Sequence, residues 1–320
     1  MDTAEPKPSL AKPLLIVNPA SARGATEHVF PGMRRRIEKA IGTFDVEFTA
    51  RRGHAVDLAC SAANEGRSLI VAVGGDGTFS EVVNGVMRSQ NRETRVGIIG
   101  RGTGGDFRRT LGIEHRLESY LDALVSEREQ SVDVGHVQYT TADGKKGERY
   151  FVNILSAGMG GLCDRYVGES SPYWPGRMAY MVGSLRGLID CHRGDLLCRV
   201  TRSGRVEERR IQTFMIAICN GQYFGSGMHI APKAELSDGR FDVVAIPGES
   251  KAAFLSIAMR VYDGGHIAKP GVDYFGCEKI EIESLDTAEK RPFLLDVDGE
   301  PVGQIPIAIT LIPRAIVVRG

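Results

Sequence analysis

A glycine-rich run, VGGDGT at residues 73–78, is the feature that most constrains how this chain can fold. It follows Leu69–Val73, an all-apolar segment typical of a strand covered on both faces, and it opens a helical pattern over Thr78–Ser89. Glycines there let successive backbone N–H groups approach an anion, and the helix N-terminus adds a favourable dipole. Asp76 would repel a bare phosphate, so its position indicates Mg²⁺ binding or proton handling. Thr78 is the candidate N-cap of this helix. The alternative is a simple glycine-rich turn from strand to helix, with Asp76 as a turn residue.

Short strand patterns alternate with helical patterns through the first part of the chain. Strands are predicted at Leu14–Val17, Asp45–Thr49, Leu69–Val73 and Arg95–Ile99, and helices at Thr26–Ile41, His54–Asn64, Thr78–Ser89 and Leu117–Arg128. Strands that alternate with helices form parallel sheets through right-handed crossovers. The pattern therefore predicts a Rossmann-like α/β domain at residues 1–131.

Two more loops follow strands of this predicted sheet. Residues 100–106 read GRGTGGD and match G-x-G-x-x-G, which alone is weak evidence for a dinucleotide site because no acidic strand end follows about 20 residues later. Residues 17–24 read VNPASARG. Because the carboxyl ends of parallel strands share one edge, the three loops are expected to converge there. Their convergence predicts a nucleotide site without a P-loop lysine, since no GxxxxGK[ST] motif is present.

The pattern changes near Ser131 to short runs with β-branched or alternating character, interrupted by helical patterns at Met178–Ile189 and Lys251–Val261. A hairpin turn is predicted at Ala142–Gly144. These signals predict a second, mostly β domain at residues 132–306, built as a sandwich.

Charge and cysteine content exclude several classes of protein. The 320 residues carry 40 Lys and Arg against 40 Asp and Glu, so nothing indicates a nucleic-acid groove. None of the six cysteines forms a CxxC pair or a zinc-spaced cluster, which predicts buried reduced thiols. The polar N-terminus and the lack of an apolar run of about 20 residues predict a soluble, cytoplasmic protein for which membrane contact remains open.

Four ordered motifs resemble the bacterial diacylglycerol kinase and lipid kinase family, to which sphingosine and ceramide kinases are related. They are Asn18-Pro19 with Gly24, GGDGT with Glu81–Gly85, GTGGDF at residues 102–107 and Asp298-Gly299-Glu300. The resemblance implies an α/β nucleotide-binding domain and a C-terminal β-sandwich with the active site between them, and a chain end (307–320) that returns to the first domain. It also implies transfer of phosphate from Mg-ATP to a lipid hydroxyl such as that of diacylglycerol, phospholipid metabolism, and peripheral membrane contact; a homodimer remains open.

The resemblance also implies roles for individual residues. Asp76, Asp298 and Glu300 would be catalytic, with Glu300 as the proton acceptor. The ATP contacts would be Asn18, Pro19, Ala20, Ser21, Ala22, Thr49, Gly74, Gly75, Asp76, Gly77, Thr78, Phe79, Ser80, Gly102 and Thr103. A structural Mg²⁺ would be bound by Glu235, Asp238 and Arg240, of which only Asp238 would use its side chain. The chain departs from the family pattern at Ser80 and Gly105, each of which replaces an Asn.

Other features have a structural and a functional interpretation. Asp298–Glu300 is also compatible with an ordinary β-turn, and Asp296 beside it with an exposed or structural residue. The aromatic segment 170–182 fits core packing or an apolar wall for acyl chains, and Arg34–Arg36 fits a solvated helix face or a membrane contact. Two other functions remain open: a kinase of a soluble acceptor, like NAD kinase, which shares GGDGT, and a catalytically silent nucleotide- or lipid-binding protein.

Overall fold

The computed structural model describes residues 12–102, 104–126, 128–169, 176–286 and 292–319. The described residues form two compact units. Of the described residues, those up to 102, those from 113 to 131 and those from 316 onward form the N-terminal unit. Residues 104–112 and Val132–Ala315 form the C-terminal unit. The predicted boundary between independently folding domains at residue 131 stays a prediction.

The N-terminal unit is a parallel sheet with helical crossovers. Its elements are β1 (Leu14–Val17), α1 (Ala25–Ile41), β2 (Asp45–Phe48), α2 (His54–Asn64), β3 (Leu69–Gly74), α3 (Asp76–Arg88), β4 (Arg95–Gly100) and α5 (Leu117–Val125). Strand β1 pairs in parallel with β2 and β3, and β3 pairs in parallel with β4. Val318, near the end of β17 (Glu300–Arg319), pairs in parallel with Val96 of β4. All residues of β1 and β3 are buried, as their all-apolar sequences predict.

The C-terminal unit is mostly β-structure. Its elements are α4 (Asp106–Thr110), β5 (Glu129–Thr140, from Val132 onward), β6 (Lys146–Phe151), β7 (Ile154–Gly158), α6 (Met159–Gly168), α7 (Gly176–Asp190), β8 (Gly194–Arg202), β9 (Arg205–Thr213), β10 (Met215–Cys219), β11 (Tyr223–Phe224), β12 (Met228–His229), β13 (Phe241–Ile246), α8 (Lys251–Ala258), two 3₁₀ turns (Met259–Val261 and Gly265–Ala268), β14 (Asp273–Cys277), β15 (Lys279–Ser284), β16 (Leu294–Val297) and β17 up to residue 315.

Two layers of strands enclose the main core of this unit. One layer runs β14-β13-β10-β7-β16, and the other contains β6, β5, β15, β8 and β9. Strand β17 pairs with β16 through its first residues and with β15 through Ile307–Thr310, so it links the layers. Side chains from both layers, including Phe151, Ile218 and Ile280, form one buried apolar cluster.

The outer face of β7, β10 and β13 is buried as well. Ala217 on β10 and Val244 on β13 belong to a second apolar cluster, which also contains Phe254 of α8 and against which Leu188 of α7 packs. Burial on both faces explains why β10 and β13 are continuous apolar runs rather than alternating ones.

The predicted fold class, a Rossmann-like α/β part followed by a β-sandwich, is confirmed. Most predicted elements agree with the structure within two residues. Helix α5 ends at Val125 instead of residue 128, because Ser126 is already extended and β5 begins at Glu129. The α-helix predicted to reach Val261 ends at Ala258 and tightens into a 3₁₀ turn. The sequence analysis missed α4 and α6.

All six cysteines are free thiols, and five of them are buried, as predicted. Burial raises the pKa of Cys198 and of Cys277 to about 12 each. These two thiols therefore stay protonated at neutral pH and serve as small apolar core residues.

Candidate functional site

The GGDGT run forms a tight turn between β3 and α3. Gly75 is the N-cap of α3, and the helix begins at Asp76. A Cβ on Gly74 would lie 2.4 Å from the hydroxyl oxygen of Thr78, so only glycine fits there. The N-terminus of a helix carries the positive end of the helix dipole, which makes this helix end suited to an anion. Thr78 is the third residue of the helix, so its predicted role as N-cap is wrong.

The loop after β4 lies directly against this turn. The backbone N–H of Arg101 donates to the carbonyl oxygen of Gly74 at 2.6 Å. A Cβ on Gly102 would lie 3.0 Å from the Cα of Gly75, so the two backbones are in contact with no side chain between them. The contact is tight for a side chain at Gly102, whereas a Cβ on Gly75 would lie 3.7 Å from the Cα of Gly102, an ordinary contact distance.

The loop after β1 completes the same sheet edge. The backbone N–H of Asn18 donates to the carbonyl oxygen of Val73 at 2.9 Å, and the Asn18 side-chain amide donates to the Thr78 hydroxyl at 3.1 Å. Asn18 Oδ1 accepts the backbone N–H of Ala20 at 3.0 Å. Thr49, at the end of β2, donates its backbone N–H to Val17 at 2.9 Å. The structure thus brings the three loops together at the carboxyl ends of neighbouring strands.

The other predicted ATP contacts differ in exposure. Asp76 and Gly77 are partly exposed at the helix end, whereas Phe79 and Ser80 are each 1% exposed and pack inside the unit. Any ligand contact by Phe79 or Ser80 would therefore involve backbone atoms. Pro19, Ser21 and Ala22 are partly exposed and Ala20 is exposed. Thr103 lies outside the described residues.

Two residues at this edge were given no role by the sequence analysis. Glu81 of α3 accepts the backbone N–H groups of Gly53 and Ala55 at 2.8 and 3.2 Å, and so caps the N-terminus of α2. Arg101 has a buried Nε that finds no hydrogen-bond partner among the described residues. Arg101 lies between Gly100 and Gly102, in a loop that the sequence predicts to bind phosphate, and this position was the signal that could have identified it.

In the C-terminal unit, Asp298 is the centre of a backbone clamp. Its carboxylate accepts the N–H groups of Val152, Asn153 and Ile154 at 3.1, 3.0 and 3.1 Å. The residue is 8% exposed and has a φ of 51°, and Gly299 after it has a φ of 84°. Asp298 therefore fixes the turn that leads into Glu300.

Glu300 forms an ion pair with Arg149 of β6, in which a guanidinium N–H donates to Oε2. Both side chains are only 16% exposed. A pair this well shielded holds a carboxylate in one orientation far better than an exposed pair does. Asp296, by contrast, is 4% exposed and lies opposite Ser156 in the strand register, which fits a structural role.

The Gly105 departure from the family pattern has a conformational explanation. Gly105 is the N-cap of α4 and has a φ of 64°, a left-handed conformation that Gly and Asn adopt more readily than other residues. Asp106 accepts the backbone N–H of Ser226 at 2.8 Å and an Arg109 guanidinium N–H at 2.7 Å. The segment is therefore held within the C-terminal unit without an amide at position 105.

The residues predicted to bind Mg²⁺ lie in an acidic neighbourhood. Asp238 accepts the backbone N–H of Arg240 at 3.2 Å and its Nε–H at 2.6 Å. Burial raises the pKa of Asp242 to about 6, with a further rise from Asp238, and Arg240 opposes it. Burial is also the main cause of the raised pKa of Asp133, whose carboxylate accepts the N–H groups of Gly239 and Arg314. Asp133 was missed by the sequence analysis.

This donor set fits Mg²⁺, which prefers hard oxygen ligands and usually keeps several waters beside one or two carboxylates. Among the described residues no cluster of three or more His, Cys, Asp and Glu side chains is arranged around a metal position. A site made of one carboxylate and backbone carbonyls does not require such a cluster.

Comparison with known families now identifies the chain. The family described as "Diacylglycerol kinase catalytic domain" matches residues 12–137, and the one described as "YegS C-terminal NAD kinase beta sandwich-like domain" matches residues 153–320. The second match alone covers more than half of the chain. The chain belongs to the diacylglycerol kinase and lipid kinase family.

Curated relatives agree with this assignment. The diacylglycerol kinase of Staphylococcus carnosus (strain TM300) is 27% identical to this lipid kinase over 293 residues, which cover 91% of this chain and 89% of the relative. That of Staphylococcus aureus (strain bovine RF122 / ET3-1) is 28% identical over 293 residues, covering 91% and 87%. The resemblance inferred from the sequence is confirmed, and the chain is a phosphotransferase of the lipid kinase class. Its family implies use of ATP and a lipid substrate.

Solved structures share the fold. A diacylglycerol kinase from Bacillus anthracis str. Sterne superposes on this lipid kinase with a TM-score of 0.69 at 21% identity, over 98% of both chains. Another solved chain from the same strain gives a TM-score of 0.76 at the same identity and coverage. None of the helices in the described part of the lipid kinase combines the length and the hydropathy that a membrane span requires.

The clamp predicts a stability effect of Asp298. Replacing Asp298 with Ala leaves three buried or part-buried N–H groups without their acceptor, and we expect a loss of roughly 2–4 kcal/mol in the free energy of unfolding. Urea denaturation measures this loss, and Asp143→Ala in an exposed hairpin turn is the control. Equal midpoints for the two variants would show that the clamp contributes nothing to stability.

Proposed function

We propose that this lipid kinase transfers the γ-phosphate of ATP to the hydroxyl group of diacylglycerol or a closely related lipid alcohol. The observation that carries the proposal is the contact between the three loops at the ends of β1, β3 and β4, around the N-terminus of α3. Relatives named diacylglycerol kinase, matched over 91% of the chain, support the choice of acceptor.

In this proposal the N-terminal unit binds the nucleotide. Gly74, Gly75 and Gly102 leave the loop backbone exposed to the phosphates without intervening side chains. Asn18 orients the Thr78 hydroxyl and thereby holds the first loop against α3. Phosphoryl transfer needs mainly alignment and neutralisation of charge, and a backbone cradle supplies both.

Arg101 would supply the positive charge that a P-loop lysine supplies elsewhere. Its backbone is anchored on Gly74, and its Nε has no hydrogen-bond partner among the described residues. A guanidinium in this place can donate to phosphate oxygens. Asp76, at the first position of α3, would act on the phosphate-bound metal or on the acceptor rather than on a phosphate oxygen.

The C-terminal unit would bind the lipid and supply the proton acceptor. Glu300 takes the proton of the lipid hydroxyl while that oxygen forms a bond to the γ-phosphorus and the bond to the leaving ADP oxygen breaks. Arg149 orients the Glu300 carboxylate through their shielded ion pair. Asp298 fixes the turn before Glu300 and acts as a positioning residue.

A structural Mg²⁺ is proposed at Asp238, with carbonyl oxygens of Glu235 and Arg240. When bound, the ion would offset the excess of negative charge that Asp238 adds to Asp133 and Asp242. We further propose that the kinase works in the cytoplasm and contacts the membrane surface peripherally, where its acceptor resides.

The function is tested with ATP labelled at the γ-phosphate. Diacylglycerol and other lipid alcohols in mixed micelles should become labelled, and Asp76→Ala should abolish the labelling because the carboxylate at the phosphate loop is lost. Asp122→Ala, on the exposed face of α5, is the matched control. Turnover of Asp76→Ala above about a tenth of wild type would make Asp76 an ordinary turn residue. Labelling of NAD but of no lipid would contradict the proposal and indicate a kinase of a soluble acceptor.

The acceptor side is tested with Glu300→Gln. The amide keeps the size of the side chain and loses its basicity, so kcat should fall about 10²–10⁴-fold. ATP affinity should stay within a few-fold, which equilibrium binding of a labelled ATP analogue measures. The control is Glu283→Gln, a partly exposed residue of the same unit that pairs with Arg199.

The pair Asp298 and Glu300 gives a second test of the same assignment. If Asp298 acts by positioning Glu300, then Asp298→Asn should lower kcat alone but add little to Glu300→Gln. An equal loss of ATP affinity in Glu300→Gln would assign the turn to the nucleotide, and near-normal turnover would make it an ordinary turn.

The Mg²⁺ site is tested by thermal unfolding. Wild-type protein should gain several degrees in melting temperature when Mg²⁺ is added, because the ion binds only the folded state. Asp238→Asn should lose this gain while retaining activity at saturating Mg²⁺. Identical responses of the two proteins to Mg²⁺ would remove the site from the proposal.

A further inference from the structure

The side chain of Arg108 fills the space beside Gly105. A Cβ on Gly105 would lie 2.6 Å from Nε of Arg108 and 3.2 and 3.3 Å from its Cδ and Cγ. Gly105 is the N-cap of α4 and Arg108 is the third residue of that helix, from which a side chain can reach back over the N-cap. Arg108 therefore occupies the place that a side chain at residue 105 would take.

This packing gives the departure at Gly105 a counterpart elsewhere in the loop. The family pattern has Asn at this position and the chain has Gly, so one side-chain amide is lost. The amide of an Asn offers two N–H donors, whereas the guanidinium of an Arg offers five and is always charged. The lost amide is thus accompanied by a stronger hydrogen-bond donor, Arg108, that lies over the same backbone position.

The neighbouring Arg109 has a structural task. Its Nη1 donates to the carbonyl oxygen of Gly104 at 2.5 Å and to Oδ1 of Asp106 at 2.7 Å. The Asp106 side chain is only 11% exposed, so this ion pair is well shielded from solvent. Arg109 therefore holds the loop in shape and neutralises its acid, a task that differs from that of Arg108.

The loop carries more positive than negative charge. Residues 100–112 contain three arginines and one acid, Asp106, which pairs with Arg109. The next acid along the chain, Glu114, pairs with Arg116 at 2.8 Å. The excess of positive charge therefore belongs to the other two arginines of the loop, and it favours an anionic ligand.

The covalent chain keeps Arg108 near the phosphate loop. Gly102 contacts the turn before α3, where a Cβ on it would lie 3.0 Å from the Cα of Gly75. Three residues span at most about 11 Å, so the Cα of Gly105 lies within that distance of the Cα of Gly102. A guanidinium that rests on Gly105 is therefore close enough to serve a triphosphate that is bound at the turn.

We propose that Arg108 replaces the missing Asn side chain and donates to the γ-phosphate of ATP. Arg101, held at the turn by its backbone N–H on Gly74, contacts the inner phosphates, and Arg108, farther along the loop, contacts the outermost one. A guanidinium can donate two parallel hydrogen bonds to phosphate oxygens, which orients the phosphate as well as neutralising it. The inference rests on the proposed function in one respect, since it takes ATP as the phosphate donor.

The first test measures equilibrium binding of labelled ATP and ADP to the full chain with Mg²⁺ and without lipid. Arg108→Gln should weaken ATP binding about tenfold or more, because a charge-assisted contact is lost, and should leave ADP binding within about twofold, because ADP has no γ-phosphate. Arg205→Gln, an exposed cation on β9, is the matched control and should bind both nucleotides as wild type does. An equal change for ATP and ADP, or no change, would overturn the contact.

The second test restores the amide and removes the arginine. Gly105→Asn alone should weaken ATP binding, because its Cβ would displace the Arg108 side chain, although the φ of 64° itself accepts Asn. Gly105→Asn combined with Arg108→Ala should regain most of the ATP affinity, because the amide then has the space and donates in place of the guanidinium. Gly144→Asn is the control, since Gly144 has a φ of 81° in an exposed turn and a Cβ there meets open space among the described residues. Losses that simply add in the double variant would overturn the exchange.

Lipid phosphorylation by the same proteins separates this inference from the proposed function. If wild type labels no lipid while Arg108→Gln still loses affinity for ATP and not for ADP, the proposed acceptor is overturned and the Arg108 contact stands. If wild type labels diacylglycerol while Arg108→Gln binds both nucleotides as wild type does, the contact is overturned and the function stands.

Discussion

The contact between two backbones at Gly75 and Gly102 is the constraint on which the proposed nucleotide site of this kinase depends. The loops after β3 and β4 approach so closely that a Cβ on Gly102 would lie only 3.0 Å from the Cα of Gly75. The loops approach because β3 pairs in parallel with β4 along six residues, so that both strands end side by side at Gly74 and Gly100. The N-terminus of α3 and the Asn18 amide are then placed beside them by the same sheet edge. The all-apolar strands β1 and β3 and a set of glycines thus produce a sheet edge with few charged side chains, at which we propose that the phosphates bind.

Buried carboxylates perform a different task in the C-terminal unit. Asp298 accepts three consecutive backbone N–H groups, and Asp133 accepts those of Gly239 and Arg314. In each case one carboxylate accepts hydrogen bonds from backbone N–H groups in turns, where no neighbouring strand or helix supplies a carbonyl acceptor. The turns that carry Glu300 and Asp238 are fixed in this way. The functional candidates of this unit therefore depend on acids that hold the neighbouring backbone in place.

The sequence was sufficient to predict those elements that hydrophobic periodicity and local motifs determine. The all-apolar run at Leu69–Val73 and the glycines after it predicted β3, the turn and the helix that follows, and the ordered motifs predicted the family. It was insufficient where partners are distant in the chain. Asp133 stands 181 positions from Arg314, and nothing around it distinguishes a buried acid from an exposed one. The same holds for the pairing of Arg149 with Glu300, which are 151 positions apart.

Strand β17 has a consequence for how the protein is made. Val318 completes the sheet of the N-terminal unit by pairing with Val96, but a ribosome must first synthesise all of Val132–Ala315. At about 5–20 residues per second this takes roughly 10–40 s. During that time the backbone groups of Val96 and Gly97, which pair with Val318 and Arg319 in the finished protein, belong to an edge strand. The nascent N-terminal unit thus keeps an edge open to aggregation for most of the synthesis, and chaperones that bind extended chain would have their target there.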